Sequence, residues 1–197
     1  LGNGMIDVFG DKTTIHNSES GTSDDYIYDI EIDQSGKLWL ASDIGLICFN
    51  MDKNKWDKVS MEDGLPDNII KEIEFDQTGK LWLGTEEEGV AIYNTIDKSI
   101  TSVPNWEFGS LNQFIIREEG ELWISTKRNG VVKLNYKSEN DFQYKNYLET
   151  DGLVNNRTKS IFKDNEDNIW IPSKEGVSQF TGNLFEILNI NGGLPSN

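Results

Sequence analysis

The chain has 197 residues, 36% of them hydrophobic and 11% aromatic, and its 34 acids against 18 bases leave a net charge of −16. That apolar content is enough for a buried core and excludes a disordered chain. The charge argues against nucleic acid and anionic membranes as partners, because protein affinity for both comes largely from Lys and Arg.

No apolar run approaches the ~18 residues of a membrane helix. The stretch LGNGMIDVFG does not read as a signal peptide, and Leu1 in place of Met reads as a processed or cut chain. A single cysteine, Cys48, excludes an internal disulfide and a Cys-based zinc site. Within GLICFN it reads as a small buried apolar residue.

Along the chain, residues 1–20 read as the second half of a sheet: one strand in NGMIDVF, then an outer strand carrying Thr13, Thr14 and His16. Residues 21–63 hold a full set of four strands. YIYDIEID is strand A, DQSG a tight turn, KLWLAS strand B, DIG a turn, GLICFN strand C, and WDKVS the polar outer strand D. LWL is apolar at consecutive positions, as a strand covered on both faces must be. No stretch of 11 or more residues keeps a helical apolar period.

The pattern then repeats. DQSGKLWLAS at 33–42 is answered by DQTGKLWLGT at 76–85, REEGELWIST at 117–126 and DNEDNIWIPS at 164–173. The anchoring tryptophans, Trp39, Trp82, Trp123 and Trp170, stand 43, 41 and 47 residues apart. Further units span 64–106, 107–151 and 152–192, and GLPSN at 193–197 opens another. GLPDN at 64–68 and GLVNN at 152–156 open their units, whereas NWEFGSLNQF replaces that element in the third. A period in the low forties with several short strands per unit marks a β-propeller. Each blade lies between two others, which explains the doubly buried strand B. The four tryptophans therefore read as core between blades. The expected fold is all-β, about four and a half four-stranded blades. The missing strands A and B of the first blade would have to follow Asn197, so the chain reads as an arc of a larger propeller.

In a propeller the D–A and B–C loops share one face, where sites tend to lie. The candidate ligand-binding residues there are Asn68, Asn156 and Arg157 from D–A loops, and Glu86, Lys127, Arg128 and Lys174 from B–C loops. Trp106 joins them from the third D–A loop, where it fits no repeat position. Asp24, Asp25, Asp43, Asp67, Glu87, Asn155 and Glu175 fall on the same loops. Arg128 and Arg157 belong to adjacent blades. With Lys127 and Lys174 they form a basic rim, to be read either as paired with Glu149, Asp151 or Glu175, or as an anion site.

Catalytic and metal chemistry find little support. His16 is the one histidine, and it lies on an outer strand. No Ser-His-Asp set can be assembled. DNEDN lacks the Gly and terminal Glu of a calcium loop and aligns with the hairpin turn DQSGK, while the three glutamates at 86–88 read as a solvated loop. No metal and no cofactor is expected.

The ordered elements GLPDN, DQTGKLWLGT and EEGVAIYN resemble the two-component regulator propeller repeat, found in extracytoplasmic sensor regions of bacterial hybrid two-component systems. The resemblance covers essentially the whole chain. It departs at Arg117, in place of the turn Asp, and at Asp167, in place of the turn Gly, and both departures are expected to weaken their turns. The resemblance implies seven-bladed propellers in a periplasmic sensor of a membrane protein, with a histidine kinase elsewhere in the parent. It implies oligosaccharide ligands, partners in the remaining blades or in self-association, and no catalysis by this chain. Two alternatives are a propeller lyase or hydrolase, to which a likeness to streptogramin lyase would point, and a structural dimerisation platform.

Overall fold

A computed structural model describes residues 5–9, 11–16, 26–51, 53–118, 120–138, 141–182 and 184–188. Asp24, Asp25 and the 193–197 segment lie outside them. The described residues contain strands and two short 3-10 turns, and no α-helix among them is long and apolar enough to cross a membrane. They divide into two compact units.

The first unit holds the hairpin β1 (Met5–Phe9) and β2 (Lys12–His16) and two four-stranded sheets. One sheet is β3 (Ile27–Ile32), β4 (Leu38–Ser42), β5 (Leu46–Asn50) and β6 (Lys55–Val59). The next is β7 (Ile70–Phe75), β8 (Lys80–Thr85), β9 (Val90–Asn94) and β10 (Ile100–Ser102). The second unit holds β11 (Leu111–Glu118), β12 (Glu121–Thr126), β13 (Val131–Ser138) and β14 (Asp141–Tyr147). It ends with β15 (Phe162–Lys163), β16 (Ile169–Pro172), β17 (Val177–Phe180) and β18 (Phe185–Leu188). Every sheet is an antiparallel meander in chain order, the blade that the repeat requires.

Strand B behaves as LWL predicts. Leu40, Trp82, Leu83, Trp123 and Ile124 are fully buried, and Trp39 nearly so. Alternate residues serve opposite faces. In the first unit Trp39, Ala41, Leu46 and Cys48 pack against Ile70, Ile73, Leu81, Leu83 and Tyr93 of the neighbouring sheet. In the second unit Trp123, Val131 and Tyr147 meet Ile161, Ile169, Ile171 and Phe180. Trp170 departs from the expected core position and is only half-buried.

The turn aspartates have a task beyond the turn. Asp33 Oδ1 accepts from the amides of Ser35 and Lys37 and from the Ser35 hydroxyl, while Oδ2 accepts from Trp39 Nε1 at 3.1 Å. Asp76 holds Trp82 Nε1 at 3.0 Å, and Asp164 holds Trp170 Nε1 at 2.7 Å. The D-x-x-G-x-L-W spacing thus places one carboxylate where it closes a hairpin and fixes an indole rotamer. Burial raises the Asp33 carboxyl, yet the hydrogen bonds from Ser35, Lys37 and Trp39 outweigh it and leave a net lowering. The Trp170 and Asn168 side-chain bonds lead in pushing Asp164 down to about 2.

The third repeat has Arg117 at this position, and Glu121 supplies the acceptor. Glu121 Oε1 takes the Trp123 Nε1 bond at 2.7 Å, and the carboxylate is flanked by Lys133 and Arg117. Burial raises Glu121, but the bonds from Lys133 and Trp123 hold it below the usual carboxylate range. In the fourth repeat Asp167 adopts φ 68°, the left-handed conformation taken by the turn glycines elsewhere. Glu121 thus takes the acceptor role of the missing turn Asp, and Asp167 the left-handed conformation of the missing turn Gly.

Candidate functional site

Two loop families converge at one end of the second unit. The β14–β15 connection begins with a 3-10 turn, Glu149–Asp151. Leu148 N donates to Asp151 Oδ2, and buried Leu153 anchors the segment in the core. GLVNN follows, and its asparagines fold the loop on itself. Asn156 Oδ1 accepts from Glu149 N at 2.8 Å, Glu149 Oε1 accepts from Asn156 N at 2.9 Å, and Asn155 Oδ1 accepts from Arg157 N at 2.7 Å.

That loop is riveted to the β12–β13 turn. Buried Thr158 Oγ1 accepts from Thr126 N at 3.0 Å and donates to Thr126 O at 2.9 Å. Gly130 N donates to Asn156 O at 2.8 Å. Arg128, on the turn, and Arg157, on the loop, are therefore held in fixed relation by buried backbone. On the other side the β16–β17 turn carries Lys174 and Glu175, shaped by Ser173 Oγ, which donates to Gly176 O and accepts from Glu175 N.

The result is an open recess of about 320 Å³ lined by Arg128, Arg157, Lys174, Asn155, Asn156, Glu149 and Glu175. Among the described residues, no carboxylate lies within 4.0 Å ion-pair distance of Arg128, Arg157 or Lys174. The pairing of these bases with Glu149, Asp151 or Glu175, one of the two readings of the sequence, is not formed. Glu149 is engaged by the loop amide instead. The asparagine carbonyls are likewise occupied, which leaves their amide N–H groups, two guanidinium forks and one ammonium as donors. Such a set suits an anion.

Four of the eight candidate residues, Arg128, Asn156, Arg157 and Lys174, thus line one recess. The other four do not join it. Asn68 and Glu86 belong to the first unit. Asn68 Oδ1 accepts from Met61 N at 2.9 Å, the same loop staple that Asn156 makes, and Glu86 Oε2 lies 3.6 Å from Lys71 Nζ. Lys127 donates its backbone N–H to Ser110 O. Trp106 sits with its ring on Gly89, where any Cβ would fall inside the ring, and its Nε1 donates to Gly109 O at 2.8 Å. Phe108 meets it edge-on. Half-exposed Trp106 packs its own loop.

No group of three His, Cys, Asp or Glu side chains among the described residues is placed to hold a metal ion. DNEDN forms the β15–β16 hairpin turn, with the Asp164 carboxylate engaged by Glu166 N, Asn168 N and Trp170. Cys48 faces the core, where burial pushes its thiol up to about 11, so it is no nucleophile at neutral pH.

No protein-family model and no curated protein matches the chain. Solved structures do. The extracellular domain of a protein assigned as a hybrid two-component system from B. thetaiotaomicron superposes with a TM-score of 0.71 at 24% identity, over 86% of this chain and 24% of that one. PorZ, a surface component of the type-IX secretion system of Porphyromonas gingivalis, gives 0.68 at 15% identity, over 95% and 31%. A catalytically inactive virginiamycin B lyase from Staphylococcus aureus with quinupristin gives 0.69 at 15% identity, over 94% and 61%. The chain spans about a quarter of the length of the B. thetaiotaomicron extracellular domains it matches.

Proposed function

We propose, from the recess and from a β-propeller fold shared with extracellular domains assigned to two-component systems and with lyases alike, that the chain is a ligand-binding segment of an extracytoplasmic sensor propeller in a membrane two-component signalling protein. It forms part of a larger ring and has no catalysis of its own. Its ligand is an oligosaccharide with an acidic group, a carboxylate or a sulfate, seated between Arg128 and Arg157.

One observation carries this reading: three cations without ion-pair partners line one recess in a chain of net charge −16. Glu149 and Glu175 also line the recess, but neither pairs with these bases, which leaves their donors open to a visiting anion. A guanidinium fork meets a carboxylate at two points, which adds orientation to attraction. A non-catalytic role is supported by the absence of histidine from the recess, since the chain's one histidine is His16 on β2. That removes the commonest general base.

Calorimetric titration of the sensor region with acidic and neutral oligosaccharides tests the proposal, repeated with Arg128→Ala and Arg157→Ala. Acidic sugars should bind and both variants should weaken them, more so at low salt. Preference for neutral sugars, or equal binding by both variants, would remove the site. Turnover of an oligosaccharide or lactone would favour the lyase or hydrolase reading instead.

A further inference from the structure

The first unit carries a second basic cleft, built from other loops than the recess above and independent of it. The cleft holds about 470 Å³ and opens between the β3–β6 and β7–β10 sheets. Five lysines line it: Lys37, Lys53, Lys55, Lys58 and Lys98. Lys37 starts strand B, Lys53 and Lys55 belong to the β5–β6 hairpin, Lys58 lies on β6, and Lys98 comes from the β9–β10 turn. Sheet pairing gathers the β3–β4, β5–β6 and β9–β10 turns at the end of the blades opposite the D–A and B–C loops, and from there the cleft runs along β6 to Lys58, Val59 and Asp63.

Two carboxylates share the cleft, and both are engaged. Lys55 Nζ bonds Asp57 Oδ1 at 2.6 Å, and this bond leads in lowering the Asp57 carboxyl. Asp63 Oδ2 accepts from Ser60 N and Ser60 Oγ at 2.9 and 3.2 Å. Lys37, Lys53, Lys58 and Lys98 are left without an ion-pair partner among the described residues. Five of the chain's 18 bases therefore stand in one cleft of a protein with 34 acids. The floor is apolar: Trp39 and Tyr93, ring centroids 5.6 Å apart, with Cys48 beside them.

Lysine groups differ from arginine in what they recognise. An ammonium is a point charge on a flexible stem, without the planar fork that matches a carboxylate. Several ammoniums around one space can each meet a different oxygen of a tetrahedral oxyanion, as lysine does in phosphate sites. We propose that this cleft binds a small oligoanion carrying two or more tetrahedral oxyanion groups, sulfate or phosphate esters, laid over the Trp39–Tyr93 floor. The site is distinct from the arginine recess in place, and its lysines suit tetrahedral oxyanions where the arginine forks also suit a carboxylate.

Two probes separate the sources of that chemistry: inorganic tripolyphosphate for phosphate and sucrose octasulfate for sulfate. Each is titrated calorimetrically into the full 197-residue chain and into Lys53→Glu/Lys58→Glu. Both positions are exposed, so the double variant should keep the parent circular dichroism and melting profile. In parallel, lysine acetylation with and without each probe is mapped by mass spectrometry. Lys137 and Lys145, exposed lysines of the second unit outside the arginine recess, serve as internal controls. The expected result is binding of at least one probe, weakened about tenfold or more in the double variant. Protection should cover the cleft lysines and spare Lys137 and Lys145. Binding of one probe alone identifies its ester class as the ligand. Binding of neither probe, equal affinity in the double variant, or equal protection at Lys137 and Lys145 would overturn the proposal.

Discussion

Arg117 Nε donates to Asp167 Oδ2 at 3.2 Å, and each residue stands where the repeat pattern asks for another. Arg117 occupies the place of the third turn's aspartate, and Asp167 the place of the fourth turn's glycine. The two departures meet across adjacent sheets of the second unit. Lys163 reinforces the pair at 3.5 Å from Asp167 Oδ1. Two local irregularities thereby become one contact between blades.

Asp167 trades backbone strain for that contact. A non-glycine residue in the left-handed region costs roughly 1–2 kcal/mol, less for Asp than for most. Its side chain is 56% exposed, so each ion pair contributes only about 0.2–1 kcal/mol. Asp167→Gly should therefore change stability by less than about 1 kcal/mol in the parent, and should stabilise in an Arg117→Ala background. Chemical denaturation of the four proteins in this cycle measures the coupling. Equal destabilisation by Asp167→Gly in both backgrounds would show that the pair carries none.

The Asp164 clasp predicts an acid limb. Its folded-state value, about 2, lies below the ordinary carboxylate value of ~3.9. A depressed carboxyl contributes stability that is complete above the unfolded value and disappears as pH falls through the folded one. Asp164→Asn should thus lower the melting temperature at neutral pH. The gap between variant and parent should narrow from about pH 4 down to about pH 2. Melts across that range decide it. A gap independent of pH would mean that the ionised carboxylate is not what holds Trp170.

Trp82 and Trp106 separate core from loop. Trp82 is fully buried and Trp106 half-buried. Trp82→Ala should cost about 3–5 kcal/mol through lost packing and the cavity left behind. Trp106→Ala should cost much less, because its ring covers Gly89 and its own loop. Urea midpoints for the two variants give the comparison. Equal shifts would contradict the division.

These residues also mark what the sequence could and could not convey. LWL and LWI announced buried strands because consecutive apolar residues leave no solvent face. Arg128 and Arg157 could be paired in advance because the tryptophan repeat places each on a loop of known kind. The clasp between Asp33 and Trp39 was hidden, since its partners meet only after the hairpin folds back. Asn68 and Asn156 read as ligand donors, and the fold adds a second task for each, since their carbonyls staple their own loops. Loop position alone does not say whether a polar side chain serves the chain or a ligand. The lysine cleft was hidden because its members come from separate segments, the β3–β4 turn, the β5–β6 hairpin with β6, and the β9–β10 turn, that meet only in the fold. The signal was present in MDKNKWDK, where Lys53, Lys55 and Lys58 crowd one hairpin.

The last prediction concerns the face of β3 turned away from its neighbour. Asp29 Oδ2 accepts from Ile73 N at 2.9 Å, so one side of β3 is bound to β7. Beyond it along the strand, the alternate residues Ile30 and Ile32 are 44% and 59% exposed. In the second unit Phe162, Ile187 and Leu188 are exposed as well. Propeller sheets are ordinarily covered on both faces, and contiguous apolar exposure favours association. The 197-residue chain should therefore self-associate as concentration rises. Ile30→Lys with Ile32→Lys should reduce that association while leaving the melt of the buried core nearly unchanged, since neither side chain is buried. Sedimentation velocity over a concentration series reads the outcome. A monodisperse monomer at every concentration, melting cooperatively, would show instead that these faces need no partner. Association undiminished in the double variant would place the contact elsewhere on the molecule.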